Sequence, residues 1–348
     1  MFNQMFTRRR AGRCLLCLLL SLLMAASLLT VAAAEEAPGD SWIGDGAPDS
    51  CDVCIVGMLD KPGYFTMAGL RALGEDLVQT NEYGWLNSSG SRDRDTFTGV
   101  YIEDLLQLME ISDMAAGIIV TASDDFSRSF FLNDSVSGAY WTDIDGNQMM
   151  LAFSGTTSRT DRNIIDFELP RLVVGQSNPD DVNRSGWVSD IVEIRVTAFG
   201  DLQGFIWAAP AIEALAINEI TDGVGHNRYD PAANLTRSMF VTFLGRALNP
   251  EAATPELDAR QFTDVDYDSW YGMHVEWAAN NGIVQGYGGG RFGPDDNLML
   301  AHMLLMAERV GLEEVPDGID AEAQRPATRA EAAVVLYALM QMTAEAAG

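Results

Sequence analysis

Lysine is all but missing: of 348 residues 22 are basic, and only Lys61 is a lysine. That excludes a Walker-type G-x-x-x-x-G-K-[ST] phosphate loop and leaves no lysine nucleophile elsewhere. Histidine and cysteine are nearly as scarce, at 3 and 4 residues. His226, His274 and His302 are scattered, and no set of spaced ligands for zinc emerges. Positive charge as a whole is short, with 50 acidic residues giving a net charge of −28 and a pI near 4.2. Nucleic acid is therefore not an expected partner. What is present suits a folded protein: 47% hydrophobic and 9% aromatic residues, in a length that suggests two domains with cores of their own.

Long apolar runs occur once. Arg8, Arg9, Arg10 and Arg13 precede the apolar Leu15–Leu29, and Ala32-Ala33-Ala34 then offers a small-residue cleavage site. Residues 1–34 read as a secretory signal peptide. An uncleaved anchor is the alternative, but the run is shorter than the ~20 residues a span needs. Cys14 and Cys17 leave with the leader, and its loss leaves 18 basic against 50 acidic residues, a net charge of −32. The expected product is exported and strongly acidic, with no membrane span after leader removal.

Cys51 and Cys54 remain, as a C-x-x-C pair in an extracytoplasmic setting. A redox motif of this kind opens a helix after a strand, whereas Cys51-Asp-Val-Cys54-Ile-Val-Gly57 reads as the start of a strand. A local disulfide or two idle thiols is the favoured reading, with redox or metal work as the alternative.

The pattern changes near residue 200. From 40 to 199 short β-rich runs dominate: Cys54–Met58, Gly117–Ala122, Met149–Phe153, Arg171–Val174 and Ile191–Val196. Ile102, Leu105, Leu106 and Met109 share one face of a helix, and Asp145-Gly146 supplies a hairpin turn between Tyr140–Thr142 and Met149–Leu151. This half is expected to be α+β. Beyond Phe205 the chain repeats itself. Trp207, Ile220, Gly223, Arg228, Pro231, Asn234 and Leu235 recur 63 residues on as Trp270, Ile283, Gly286, Arg291, Pro294, Asn297 and Leu298. An ungapped match of this kind predicts two copies of a helix–loop–helix unit, over 205–248 and 262–311. A shortened third copy, 312–345, restates Asn234-Leu-Thr-Arg237 as Pro326-Ala-Thr-Arg329 but lacks a first helix. Thr328 with Glu331 predicts a capping box at its helix.

Phe262-Thr-Asp-Val265, Trp270, Trp277 to Tyr287, Arg291-Phe-Gly-Pro294 and the Thr236-Arg237 and Thr328-Arg329-Ala-Glu331 stretches resemble the S-layer homology repeat. The resemblance spans about 205–345. It implies an all-α, three-lobed unit that binds secondary cell-wall polysaccharide, with surface-layer proteins as possible neighbours. Carried over by position, Arg237 and Arg329 are the anion-binding side chains, and Trp207, Trp270, Gly223 and Gly286 shape the grooves. An arginine in a helix's first turn can join its planar fork to free backbone N–H groups and hold a sugar-linked carboxylate. Ordinary surface arginines and core tryptophans are the bland alternative. The second copy departs from the pattern, with Met299-Leu-Ala-His302 in place of Thr-Arg, so at least one groove is expected to be lost.

Two other motifs in this half are expected to carry no chemistry. Asp264, Asp266 and Asp268 have calcium-loop spacing, but Ser269 and Val275 stand where glycine and glutamate belong. Gly286 to Gly290 reads as an inter-helix turn and not as a phosphate loop.

In the N-terminal half, Val56-Gly57 to Thr66, Phe97 to Leu106, Val120 to Asp125, Leu169-Pro-Arg171-Leu-Val-Val174 and Trp187 to Ile194 resemble, in succession, the molybdopterin-binding domain of sulfite-oxidase-type oxidoreductases. That resemblance implies a mixed-sheet α+β fold and makes Arg171 a candidate for a pterin phosphate. It also implies a molybdenum-ligating cysteine near Thr80–Gly84, and no cysteine follows Cys54. With no nucleophile elbow or zinc-protease helix either, no catalytic or metal-binding residue is expected. No cofactor is expected, though molybdopterin stays open. The combined reading is a cell-wall or surface-layer protein that displays a binding domain; a surface molybdenum oxidoreductase and a purely structural layer component are the alternatives.

Overall fold

β-Branched and aromatic residues in alternation build two sheets in the N-terminal half. The structure is a computed structural model that describes residues 35–37, 41–44, 51–132, 141–156, 163–248 and 260–347. The leader, Cys14, Cys17 and Tyr140 lie outside the described residues. The strands are β1 (Glu35–Ala37), β2 (Ser41–Ile43), β3 (Val53–Gly57), β4 (Gly63–Phe65), β5 (Val78–Leu86), β6 (Arg92–Tyr101), β7 (Gly117–Ala122), β8 (Ser127–Phe131), β9 (Met150–Gly155), β10 (Ile165–Val173) and β11 (Ile191–Thr197). One sheet runs β1-β2-β4-β3-β11-β7-β8 and the other β10-β9-β6-β5. β11 lies parallel to β3 and antiparallel to β7, so the larger sheet is mixed and its last strand in sequence fills its middle. β7 is buried on both faces, as its run of Ile118, Ile119 and Val120 requires.

Helices α1 (Met67–Ala72) and α2 (Ile102–Leu108) pack on these sheets. Ile102, Leu105 and Leu106 of α2, with Met109 at its C-cap, are buried as their spacing predicts. The Asp145-Gly146 turn forms too: the Asp143 N–H donates to the Asn147 carbonyl at 2.8 Å, and Gly146 takes φ +84°. Cys51 and Cys54 are joined as a disulfide at the start of β3.

After β11 the chain passes through Phe199 and Leu202, both buried, into a 3-10 turn at Ile206–Ala208. The elements that follow are α3 (Ala209–Ile217), α4 (Arg237–Leu248), α5 (Gly272–Asn280), α6 (Leu300–Arg309) and α7 (Arg329–Ala347). Among the described residues no helix is long and apolar enough to cross a membrane. Most buried apolar side chains from Val53 to Leu339 form one continuous cluster within the unit Glu36–Gly348, and Tyr83, Trp85, Phe97, Met150, Ala152, Val173 and Trp187 form a second.

Three main-chain hydrogen bonds close a ring at the centre of the helical half. The Leu235 N–H donates to Ala327 O at 2.9 Å, Ala327 N–H to Leu298 O at 2.8 Å, and Leu298 N–H to Leu235 O at 2.8 Å. Leu235, Leu298 and Ala327 sit two residues before the first residues of α4, α6 and α7. Those helix starts are secured alike, with Arg237, Leu300 and Arg329 N–H groups donating to Asp296, Arg325 and Ala233 carbonyls at 3.0 Å each. The three copies are thus related by an approximate threefold rotation.

Candidate functional site

Each complete copy carries a tight loop after its first helix, and the same contacts build both. The Asp201 carboxylate accepts from the Tyr229 and Asp230 N–H groups at 2.8 and 2.9 Å. Asp264 does the same for Phe292 and Gly293, at 2.7 and 2.8 Å. Burial alone would raise the Asp264 carboxyl, but these donors outweigh it and hold it below the usual carboxylate range. Asp264 is a loop clasp, and Asp266 accepts from the Asp268 N–H within a local turn. Among the described residues no group of acids, histidines and cysteines could hold a metal. Gly286 to Gly290 form the inter-helix turn, with Gly288 bridged to Arg291.

Gly223 and Gly286 are required by close approach. A Cβ on either would run into a carbonyl oxygen, that of Arg228 or Arg291, and into the ring of Phe199 or Phe262. Gly223 also has φ +74°, a conformation that other residues rarely adopt.

Arg237 and Arg329 point from their helix starts into the neighbouring copy's loop. Both are only 4% exposed. Arg237 Nε donates to Phe292 O at 2.9 Å and Nη2 to Gln285 O at 3.0 Å, with the guanidinium 4.7 and 4.8 Å from the Phe292 and Tyr287 ring centres. Burial holds its pKa below the ordinary arginine value. Arg329 Nε donates to Tyr229 O at 2.7 Å and stacks 4.5 Å from the Tyr229 ring. Its Nη2 is buried with no hydrogen-bond partner among the described residues. The third position is Leu300, which carries no charge.

Arg237 and Gly286 come together in a groove with about 200 Å3 open to water, whose wall also includes Gln285, Tyr287, His302 and Arg309. Among the described residues no acidic side chain lines it. Trp207 and Trp270 are not in that wall, but they are surface residues, 43% and 53% exposed, and so are not core packing. Tyr287 and Arg309 were not singled out by sequence reasoning. The signal for Arg309 was available, because Arg246 stands 63 residues earlier and the two make the same bond, to Ile220 O and Ile283 O, each at 2.9 Å.

Arg171 lies elsewhere, on β10 opposite Ala152 of β9, half-buried with its guanidinium 4.7 Å from the Phe167 ring centre. Thr80 to Gly84 lie within β5, where the Asn81 amide donates to the Tyr101 hydroxyl at 2.7 Å.

The family model of the S-layer homology domain matches residues 261–303, so a domain of that family lies within the second copy and the groove wall. A cell surface protein of Thermoanaerobacter kivui is 31% identical over 133 residues, 37% of this chain and 18% of its own length. Exoglucanase XynX of Acetivibrio thermocellus is 30% identical over 125 residues, 36% of this chain and 11% of its own. An endoglucanase of a Bacillus species, strain KSM-635, is 29% identical over 111 residues, 32% of this chain and 11% of its own. The chain thus spans less than a fifth of the length of these relatives. Among solved structures, sulfane dehydrogenase SoxCD from Paracoccus pantotrophus aligns with a TM-score of 0.32 at 13% identity, over 52% of this chain and 53% of that one. That likeness is too slight to define a shared fold.

Proposed function

We propose that this protein is held at the bacterial cell surface by its helical repeats, which bind acidic cell-wall polysaccharide, and that it displays the α+β half as a binding domain. The supporting observation is the S-layer homology match, set beside a groove that holds Arg237 and has no acid in its wall. An arginine already fixed through two of its nitrogens presents its remaining edge to a ligand with little ordering cost, and a carboxylate-bearing sugar is the complementary anion. Arg329, held at its own helix start by the Tyr229 carbonyl, is the second candidate of this kind. Leu300 leaves the third position without a charge, so two binding sites are assigned and not three. Trp207 and Trp270 offer exposed ring faces for the apolar side of a sugar.

The test is cosedimentation of the mature chain with polysaccharide-bearing sacculi. The parent should pellet, Arg237→Ala should lower affinity roughly tenfold, in line with loss of hydrogen bonds to a charged group, and Arg237→Ala with Arg329→Ala should abolish retention. Failure of the parent to pellet overturns the reading.

The α+β half does not fit a molybdenum centre. No cysteine follows Cys54, and the sulfurs of Cys51 and Cys54 are bonded to each other, so the donor set has no thiolate to offer. Elemental and pterin analysis of protein made in a cofactor-competent host is expected to find neither, and stoichiometric molybdenum would reverse the assignment.

A further inference from the structure

The threefold relation among the copies has one empty place. α5, the first helix of the second copy, packs across α4, the second helix of the first copy. α3, the first helix of the first copy, packs across α7, the second helix of the third. The same rotation calls for a first helix of the third copy across α6, and none is present there among the described residues. Leu312 follows α6 directly, at the place that Ile220 and Ile283 hold after α3 and α5.

The consequence is visible residue by residue. Ser238, Val241, Thr242 and Gly245 of α4 are buried, and Gly245 lies so close to the His274 ring of α5 that a Cβ would not fit. Their counterparts 63 residues on are Ala301, Leu304, Leu305 and Glu308. Of these only Leu304 is even half-buried, and Leu305 is 42% exposed. They line a groove of about 550 Å3, closed on its far side by Leu312 and by Val315, which is 43% exposed. Glu308, Glu313 and Glu314 stand around it, and among the described residues no lysine or arginine does.

We propose that this groove is a docking seat for a short amphipathic helix of another protein, with small apolar residues on its buried face and lysine or arginine at its edges. The filled seats set the size, since α3 and α5 are nine residues each. Charge sets the rest. Two copies of this chain meeting groove to groove would oppose six glutamates, and its own first helices are already seated at home. A basic helix from outside meets the rim with opposite charge. The seat adjoins the Arg237 groove and shares His302 and Leu305 with its wall, but peptide binding is read on the chain alone, without polysaccharide, so its outcome does not depend on the polysaccharide reading.

The probe is a stapled peptide of residues 206–220 of this chain, the helix that fills the equivalent seat in the first copy. Ala214, Ile217 and Asn218, which do not face inward at home, are changed to lysine in one version and to glutamate in the other. Fluorescence anisotropy with the full mature chain should show saturable binding of the lysine version, at least about tenfold weaker binding of the glutamate version, and a similar loss on Leu305→Glu in the chain. Leu305 is exposed, so that variant keeps the fold; an unchanged thermal melt verifies it. No saturable binding of the lysine peptide, or binding indifferent to Leu305→Glu, overturns the proposal. So does a dimer of the chain, seen by sedimentation, that Leu305→Glu splits.

Discussion

Glu213 shows how much a single carboxyl can be made to do by its surroundings. It sits on α3, almost fully buried, with one oxygen 3.7 Å from Arg195 on β11 and the other without a hydrogen-bond partner. Burial pushes its pKa up to about 7, against a partly offsetting pull from Arg195 and a push from Glu193. A carboxyl whose folded pKa lies above its unfolded 4.5 favours the folded state when protonated. Its contribution is whole below pH 4.5 and is lost as pH climbs to about 7, a change of roughly 3 kcal/mol. Glu213→Gln should therefore flatten the slope of stability against pH in that window and raise the melting temperature at pH 8. Calorimetry of both proteins across the window checks it; parallel slopes would refute the assignment. Glu331 behaves in the opposite sense. Burial would raise it, but bonds from Arg325 and from the Thr328 N–H and hydroxyl outweigh burial and hold its pKa low.

At the scale of elements, the loop glycines carry a sharp expectation. Gly286→Ala forces a methyl group against the Arg291 carbonyl and the Phe262 ring, so it should cost about 2 kcal/mol of stability and loosen the groove around Arg237. Denaturant unfolding and sacculus binding measured together check both effects. Local signals were the legible ones. Helix α2 announced itself by the spacing of Ile102, Leu105, Leu106 and Met109. Thr328 and Glu331 announced their capping box, which forms in both directions, at 2.8 and 3.2 Å. β7 was read to the residue. The β5–β6 hairpin was not foreseen, because residues such as Thr80, Asn81, Asp93 and Asp95 break the apolar alternation. Asp95 is nevertheless buried, where it accepts a bond from the Trp85 ring N–H at 2.9 Å. A side chain satisfied by a distant partner leaves no local mark. The burial of Arg237 and Arg329 escaped sequence reasoning for the same reason, since what buries them is the loop of a neighbouring copy.

At the scale of the whole molecule, charge decides how the proposed anchoring must work. A chain of net charge −28 approaching an anionic wall polymer is repelled at long range, and only short-range contacts in the groove oppose this. Added salt screens the repulsion more than it weakens a buried arginine. Retention on sacculi should therefore rise as salt goes from about 20 mM to about 150 mM, where a basic binder would fall. A decline over that range would mean that exposed surface charge drives binding. The 63-residue offset was legible at this scale, and it pairs contacts such as those of Arg246 and Arg309. The closure of the copies into a ring was not, because it is made by main-chain atoms, which every residue carries and which leave no mark in the sequence.

The ring also imposes an order of events. Its three corners are far apart in sequence, and Ala327 is the last of them to be made. Arg237, made ninety residues earlier, faces a partner loop that is not locked until that corner arrives. A ribosome that releases the chain N-terminus first therefore completes the α+β half before the ring around Arg237 can close. On the anchoring proposed above, any chain cut short before Ala327 would keep its α+β half and lack a closed groove around Arg237.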